Sequence, residues 1–331
     1  MRRIALIYNP VAGTRRRQRA SDVEAAAKVF RKHGGEVRVI ATESGGSAGQ
    51  QAVEAVTDGA DAIICCGGDG TIHDAVQPLI TTRVHTPVGV IPLGTGNGLA
   101  AELGMSRDPA HAAWELLRFE PRRIPVGRIE CALPDGTTRV RYFLISAGVG
   151  ADAEMLYRLK TETKDRYGLW AYYFHALRLF WTHRFMPMDV EYRVTGETSP
   201  RRELAAQVLV GRIEHFGGMM SRLTPGASLN AETMQLVLFR TPAKWPLLRH
   251  ATAAATHGIY HGASVAIVPV SEVNCQFLPP GRELPAAWRR AKLASRAYAQ
   301  ADGELLGGLP VRMTMVPDAL TLLMPQRAAK S

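Results

Sequence analysis

Apolar and polar positions follow two regimes along the chain. In the first third, short apolar runs alternate with segments of helical period. Ile4–Tyr8 is a short apolar run that predicts a buried strand. Ser21–His33 (SDVEAAAKVFRKH) places a capping serine three residues before a glutamate and stops at Gly34-Gly35, which predicts a helix. Val37–Ala41 predicts a second strand. Ser47–Thr57 predicts a helix with Ala48, Ala52, Val53 and Val56 on one face. Ala62–Cys66 is an unbroken apolar run, the pattern of a strand buried on both faces of a parallel sheet. Ile72–Ile80 predicts a helix and Val88–Ile91 another strand. Strand and helix alternating in this order predict an open parallel α/β sheet.

The pattern changes near Pro121. Short alternating strands are predicted at Val126–Cys131, Arg139–Ser146, Met188–Val194, Leu204–Val210, Met234–Phe239, Ser264–Val270, Val311–Val316 and Ala319–Met324. Turn residues such as Pro134-Asp135-Gly136 separate some of them. This predicts a mostly antiparallel second domain, a β-sandwich. One aromatic-rich helix is predicted at Tyr167–Arg184, and Pro279–Arg296 reads as a polar loop with one helical turn. No internal repeat or low-complexity tract occurs.

Length agrees with two domains, at 331 residues. A content of 46% hydrophobic and 21% charged residues suits globular cores and excludes disorder as the main state. No apolar run reaches the length of a membrane-spanning helix. The basic start at Arg2-Arg3 is followed by too short an apolar run for a signal peptide. Cys65, Cys66, Cys131 and Cys275 match neither a zinc spacing nor a disulfide framework, so a reducing cytoplasm is expected. The net charge of +10 is unevenly placed: residues 1–122 contribute +1 and residues 123–331 contribute +9. The basic second part suits an anionic partner, although a merely solvated surface would read the same way.

Three glycine-bearing loops follow predicted strands. They are Asn9-Pro10-Val11-Ala12-Gly13-Thr14, Gly67-Gly68-Asp69-Gly70-Thr71, and Pro92-Leu93-Gly94-Thr95-Gly96-Asn97-Gly98. A strand, a glycine turn and a helix N-terminus together hold phosphate, because bare backbone lets the anion approach and free N–H groups face it. In a parallel sheet such loops gather at the carboxyl edge. They match neither the Walker A spacing nor the dinucleotide fingerprint. Asp69 would repel phosphate unless a cation lay between them, which points to Mg²⁺-nucleotide; a helix-capping role is the simpler alternative. Arg15, Arg16, Arg17 and Arg19 could neutralise phosphate charge or be solvated.

On these residues the chain resembles the diacylglycerol kinase catalytic-domain family, which includes bacterial lipid kinases, sphingosine kinases and ceramide kinases. The match extends to Gln300-Ala301-Asp302-Gly303-Glu304, so it spans nearly the whole chain. The Gly-Gly-Asp-Gly-Thr block alone is shared with NAD kinases and phosphofructokinase-like proteins. The resemblance implies an N-terminal α/β domain (1–122) with a parallel sheet of NAD-kinase/phosphofructokinase-like type that binds ATP. It implies a mostly antiparallel β-sandwich (123–324) for the lipid, with the tail 325–331 returning to the first domain. It implies ATP and Mg²⁺ as cofactors. Nucleotide contacts are implied at Asn9, Pro10, Ala12, Gly13, Thr14, Thr42, Gly67, Gly68, Asp69, Gly70, Thr71, His73, Gly94, Thr95 and Asn97. Glu304 is implied as the proton acceptor and Asp69 as the acidic residue of the nucleotide loop. Asp69 and Asp302 are metal-site candidates, and Asp302 could instead orient Glu304. On residue chemistry alone, Asp302-Gly303 could be only a hairpin turn and Glu304 solvated.

Two departures stand out. Gly98 replaces a common aspartate after Asn97. Ala231, in Leu229-Asn230-Ala231-Glu232, removes a side-chain ligand where many bacterial members form a structural metal site.

The expected function is therefore an ATP-dependent lipid kinase acting on diacylglycerol or a sphingoid- or ceramide-like lipid. It is expected in the cytoplasm, peripheral to the inner membrane face. The basic, aromatic segment Tyr167–Arg184 suits an anionic membrane surface, or else packs on the sandwich. His175, His183 and His215 lack metal-ligand spacing. Alternatives are a kinase for NAD or a soluble alcohol, and a non-catalytic nucleotide- or anionic-lipid-binding protein. No nucleic-acid-binding motif is evident, and a homodimer is left open.

Overall fold

The computed structural model describes residues 1–10, 18–43, 46–151, 153, 182–216, 222–256, 258–260 and 262–326. The chain divides into two compact units. One comprises Met1–Val126, His215–Gly218 and Val316–Ser331; the other comprises Gly127–Glu214 and Met219–Met315.

The first unit is built outward from β3 (Ala62–Gly67), which is buried at every position. On one side lie β1 (Arg3–Tyr8) and then β2 (Glu36–Ala41). On the other lie β4 (Val88–Pro92) and the last part of β14 (Glu304–Met324). The pairings β2–β1–β3–β4 are all parallel, and Leu322 of β14 lies parallel beside Val88. Continuous apolar runs form the middle strands because helices cover a parallel sheet. β2, at the edge, has no buried position.

α1 (Arg19–Lys32) buries Val23, Ala26, Ala27 and Phe30, spaced three and four residues apart. It begins two residues before the predicted start. Ser21 is not its cap; the Ser21 hydroxyl donates to Gln18 O at 2.7 Å. The helix ends as predicted, with Gly34 left-handed at φ +83° and Gly35 N–H closing on Phe30 O. α2 (Ser47–Thr57) and α3 (Asp69–Thr81) cross closely at Gly49, where a Cβ would lie 2.9 Å from Asp74 O. α3 starts earlier than its apolar pattern, since Asp69-Gly70-Thr71 form its first turn. α4 (Gly98–Glu102) and α5 (Pro109–Leu116) complete the unit. Asp108 caps α5 by accepting His111 N–H at 2.7 Å, with Pro109 in the first turn.

In the second unit every strand pairing with a printed register is antiparallel. β5 (Glu120–Ala132) and β6 (Thr138–Phe143) form a hairpin. β7 (Ser146–Val149), β8 (Met188–Val194), β9 (Arg201–Ala205), β10 (Gln207–Gly211), β11 (Met234–Phe239), β12 (Val265–Phe277) and β13 (Tyr298–Ala301) follow. With β14 the order is β14-β13-β7-β10-β11-β12-β8-β9, and β12 also pairs with β14. Ile129, Val149, Tyr192, Val210, Leu236 and Met313 lie in the shared core. The fold is thus a parallel α/β unit and a mostly antiparallel β-sandwich, as expected.

Several boundaries differ from expectation. β5 runs through residue 122 without a break, so the first unit extends to Val126. The chain end joins the first unit from Val316 rather than from residue 325. The two closing strands are one, β14, which accommodates Pro317-Asp318 with Asp318 at φ +44°. The predicted strand over 139–146 stops at Phe143 and resumes at Ser146, and the strand over 204–210 divides at Ala206. Two helices, α6 (Lys244–Ala255) and α7 (Ala286–Arg290), lie between strands. Pro246 sits in the first turn of α6, where a missing N–H costs nothing. Of the predicted helix Tyr167–Arg184, only residues 182–184 are described. No helix among the described residues is long and apolar enough to cross a membrane.

Candidate active site

The registers Tyr8↔Ala41, Tyr8↔Cys66 and Gly67↔Pro92 bring four strand ends to one edge of the first sheet. The residues that follow therefore emerge side by side: Asn9-Pro10, Thr42, Gly68-Asp69 and Leu93–Asn97. Thr42 is buried there and its N–H donates to Tyr8 O at 2.8 Å. Leu93 N–H donates to Gly67 O at 2.9 Å. The second and third glycine loops touch backbone to backbone, since a Cβ on Gly94 would stand 2.3 Å from Gly68 Cα. A Cβ on Gly67 would meet Thr71 Oγ1 at 2.7 Å, so both glycines are required by packing. Gly70, Thr95 and Gly96 remain exposed, whereas His73 is buried inside α3. Ala12, Gly13 and Thr14, with Val11 and Arg15 to Arg17, lie outside the described residues.

Asp69 is the first residue of α3, yet it caps a different helix. Its Oδ2 accepts Gly98 N–H at 3.0 Å and its Oδ1 accepts Leu99 N–H at 3.3 Å, at the start of α4. Position 98, where glycine departs from the common aspartate, contributes its backbone N–H to this cap. Asn97 (φ +58°) clamps its own loop, accepting from Gly94 N–H at 2.9 Å and donating to Gly94 O at 2.8 Å. Its amide shapes the loop instead of projecting from it. α3 has no side-chain cap at Gly68, so its N-terminal turn offers backbone N–H groups at an exposed glycine. Beside this edge a cavity of about 220 Å³ is lined by Arg19, Asp22, Gly94, Thr95, Asn97 and Arg107. Arg19 is buried, and loss of hydration lowers its pKa from the usual arginine value.

The second group of candidates lies in the β-sandwich. Asp302 (φ +46°) and Gly303 (φ +81°) form the two-residue turn between β13 and β14, with Ala301 opposite Glu304. The Asp302 carboxylate fastens this turn. It accepts the N–H groups of Leu144 at 2.8 Å and of Ile145 and Ser146 at 2.9 Å each. Asp302 N–H donates to Ser146 O at 2.8 Å, and Gly303 N–H donates to Gln300 Oε1 at 3.1 Å. This explains the break in the predicted strand over 139–146, because three consecutive amides turn to one carboxylate. These bonds fit the orienting role expected of Asp302. Both its oxygens accept backbone N–H groups, as both oxygens of Asp69 do. Glu304 is partly exposed, and its Oε2 lies 3.7 Å from Arg141 Nε. Among the described residues, no three His, Cys, Asp or Glu side chains gather as a metal site.

The loop Leu229–Thr233, where the resemblance implies a structural metal in many members, does not fit one here. Ala231 has no ligating side chain, and the carbonyls of Leu229, Ala231 and Thr233 are held by Arg212. Sequence reasoning also missed the partner of His215: Glu102 Oε2 accepts its backbone N–H at 2.9 Å and lies 3.1 Å from its Nδ1. The four cysteines are free and buried, and burial pushes the Cys65 thiol up to about 12.

Comparison with known proteins matches both units. Residues 3–129 match the family described as "Diacylglycerol kinase catalytic domain", and residues 144–324 match "YegS C-terminal NAD kinase beta sandwich-like domain". A diacylglycerol kinase of Bacillus subtilis (strain 168) is 30% identical over 280 residues, covering 82% of this chain and 87% of that protein. The chain belongs to the diacylglycerol kinase catalytic-domain family. A diacylglycerol kinase of Staphylococcus aureus (strain MRSA252) is 26% identical over 191 residues, 58% of this chain and 57% of the relative. The crystal structure of a diacylglycerol kinase from Bacillus anthracis str. Sterne superposes with a TM-score of 0.67, covering 99% of this chain and 98% of that one. At 17% identity that likeness concerns the fold alone. Membership in the diacylglycerol kinase family makes the chain a lipid-kinase-type phosphotransferase.

Proposed function

We propose that the protein transfers the γ-phosphoryl group of ATP to a hydroxyl of a membrane lipid, diacylglycerol or a sphingoid- or ceramide-like lipid. The observation that carries this reading is the convergence of Thr42, Gly67–Thr71 and Gly94–Asn97 on one sheet edge, with Asp69 among them. The residues suit the nucleotide: exposed Gly70 and Thr95, backbone N–H groups at the start of α3, and one carboxylate for a cation. Asn9, Pro10, Thr42, Gly67, Gly68, Gly70, Thr71, Gly94 and Thr95 would hold ATP, with Ala12, Gly13 and Thr14 on the same side by resemblance. Asp69 would face Mg²⁺, as the carboxylate placed among these phosphate-binding amides. When bound, Mg²⁺-ATP supplies the transferable phosphoryl group.

The remaining work falls to the protein. Backbone amides neutralise phosphate charge without reorganising. Glu304 accepts the proton of the attacking lipid hydroxyl, a group far too weakly acidic to ionise unaided. Asp302 holds the turn that aims Glu304. The basic second part favours peripheral association with anionic membrane, at the cytoplasmic face. The reading is tested by offering purified protein lipid alcohols in micelles beside NAD and soluble alcohols. Transfer confined to the lipid acceptors supports it, and transfer to NAD or a soluble alcohol instead would replace it.

A further inference from the structure

Arg212 follows β10 and is fully buried, at 0% exposure. Three backbone carbonyls of one loop accept from this guanidinium. Nη1 donates to Ala231 O at 2.6 Å and to Thr233 O at 3.0 Å, and Nη2 donates to Leu229 O at 2.8 Å. Alternate residues of a short segment thus turn their oxygens inward onto one positive charge. Such convergence of carbonyl oxygens is the way a loop holds a hard cation.

We infer that the Arg212 guanidinium is the resident cation of this loop, taking the place of a structural divalent metal, so that the β-sandwich needs no metal to fold. The two occupants exclude one another. A divalent ion close enough to bind these oxygens would lie within a few ångströms of the guanidinium, and like charges at that distance repel strongly in a dry interior. Ala231 adds no anionic ligand to offset this. The guanidinium suits the task because its donors are spread in a rigid plane and reach several oxygens at once. Burial lowers its pKa to about 10, so it remains protonated near neutral pH.

The packing shows why the loop needs a fixed centre. The segment ahead of it crosses β10 tightly: a Cβ on Gly211 would overlap Thr224, whose hydroxyl donates to Ile213 O at 2.7 Å. Arg212 also joins the loop to the turn that carries Glu304. Its backbone N–H donates to Ile145 O at 2.8 Å, and Ile145 N–H donates to Asp302 at 2.9 Å. The backbone of Arg212 therefore stands two hydrogen bonds from Asp302.

The test is thermal unfolding of the full chain without nucleotide, which does not depend on the phosphoryl-transfer reading. With EDTA, and again with added Mg²⁺ or Ca²⁺, the midpoint should stay within about 1 °C. A chelator-induced fall of several degrees that Mg²⁺ or Ca²⁺ reverses would overturn the inference. In parallel, Arg212→Met, close in length but uncharged, should lower the midpoint by roughly 5–10 °C, as expected when buried polar partners are stranded. Arg212→Lys should recover part of that loss. A methionine variant that melts like the parent would overturn the inference. If that variant does not fold, the chelator experiment on the parent chain decides alone.

Discussion

Asp302 and Ser146 are bonded in both directions: the Asp302 carboxylate accepts Ser146 N–H at 2.9 Å, and Asp302 N–H donates to Ser146 O at 2.8 Å. With Leu144 and Ile145 N–H on the same carboxylate, the turn before Glu304 has little freedom. Its work is positional, and displacement of a reacting group by about 1 Å can cost on the order of 10²-fold. Asp302→Asn should lower kcat by about 10- to 100-fold while leaving the KM for ATP nearly unchanged. A variant with altered ATP KM and normal kcat would remove Asp302 from the Glu304 side of the reaction.

Asp69 is predicted to matter more than its capping bonds alone require. Asp69→Ala removes the caps on Gly98 and Leu99 and also the carboxylate proposed to face the cation. Turnover should fall by on the order of 10²-fold or more, as for other groups that position charge. Asp69→Asn separates the two losses, since its amide oxygen can still accept one N–H while the charge is gone. Steady-state kinetics near parental values in Asp69→Asn would reduce Asp69 to a helix cap.

His250 gives the fold a pH dependence. It is buried, its Nε2 donates to Leu223 O at 2.8 Å, and its ring meets Phe239 edge-on at 5.6 Å. Burial lowers its pKa below the ordinary 6.5, with the Leu223 bond opposing in part. The unfolded chain therefore binds the proton more readily, and stability falls as pH drops through about 6.5 until the folded-state pKa is passed. His250→Gln can keep the donor without titrating. It should flatten the loss of midpoint between pH 7 and 5, and an unchanged slope would assign the acid sensitivity to other groups.

Association with membrane should be electrostatic. Residues 123–331 carry the +9 excess, and each basic side chain near an anionic surface contributes about 1 kcal/mol, screened by salt. Sedimentation with anionic vesicles should be strong at low salt and fall steeply as salt is raised. Equal sedimentation with neutral vesicles at low salt would contradict this.

Much of the fold was legible because its signals are local. Ala62–Cys66 announced the central strand, and Gly34-Gly35 the end of α1. The glycine loops announced the carboxyl edge, since strand, turn and helix follow one another in sequence. What escaped was long-range. Asp69 serves α4 from 29 residues away, and Asp302 serves Leu144 from 158 residues away. No spacing rule reports such pairs. Ala231 signalled a missing ligand, but nothing near it named Arg212, which reaches the loop from the end of another strand. Arg141 beside Glu304 was hidden in an ordinary alternating strand. Pro317-Asp318 misled, because the strand continues through it.

The central claim is that ATP phosphorylates a lipid hydroxyl with Asp69 and Glu304 in the machinery. The most direct measurement follows label from the γ-phosphate of ATP into a panel of lipid alcohols, with products resolved by chromatography. Parent enzyme is compared with Glu304→Gln, and ATP binding is measured on both. Label should appear in a lipid phosphate for the parent. In Glu304→Gln the rate should fall by about 10²- to 10⁴-fold with ATP binding nearly intact. Label in no lipid, or undiminished transfer by Glu304→Gln, would contradict the account.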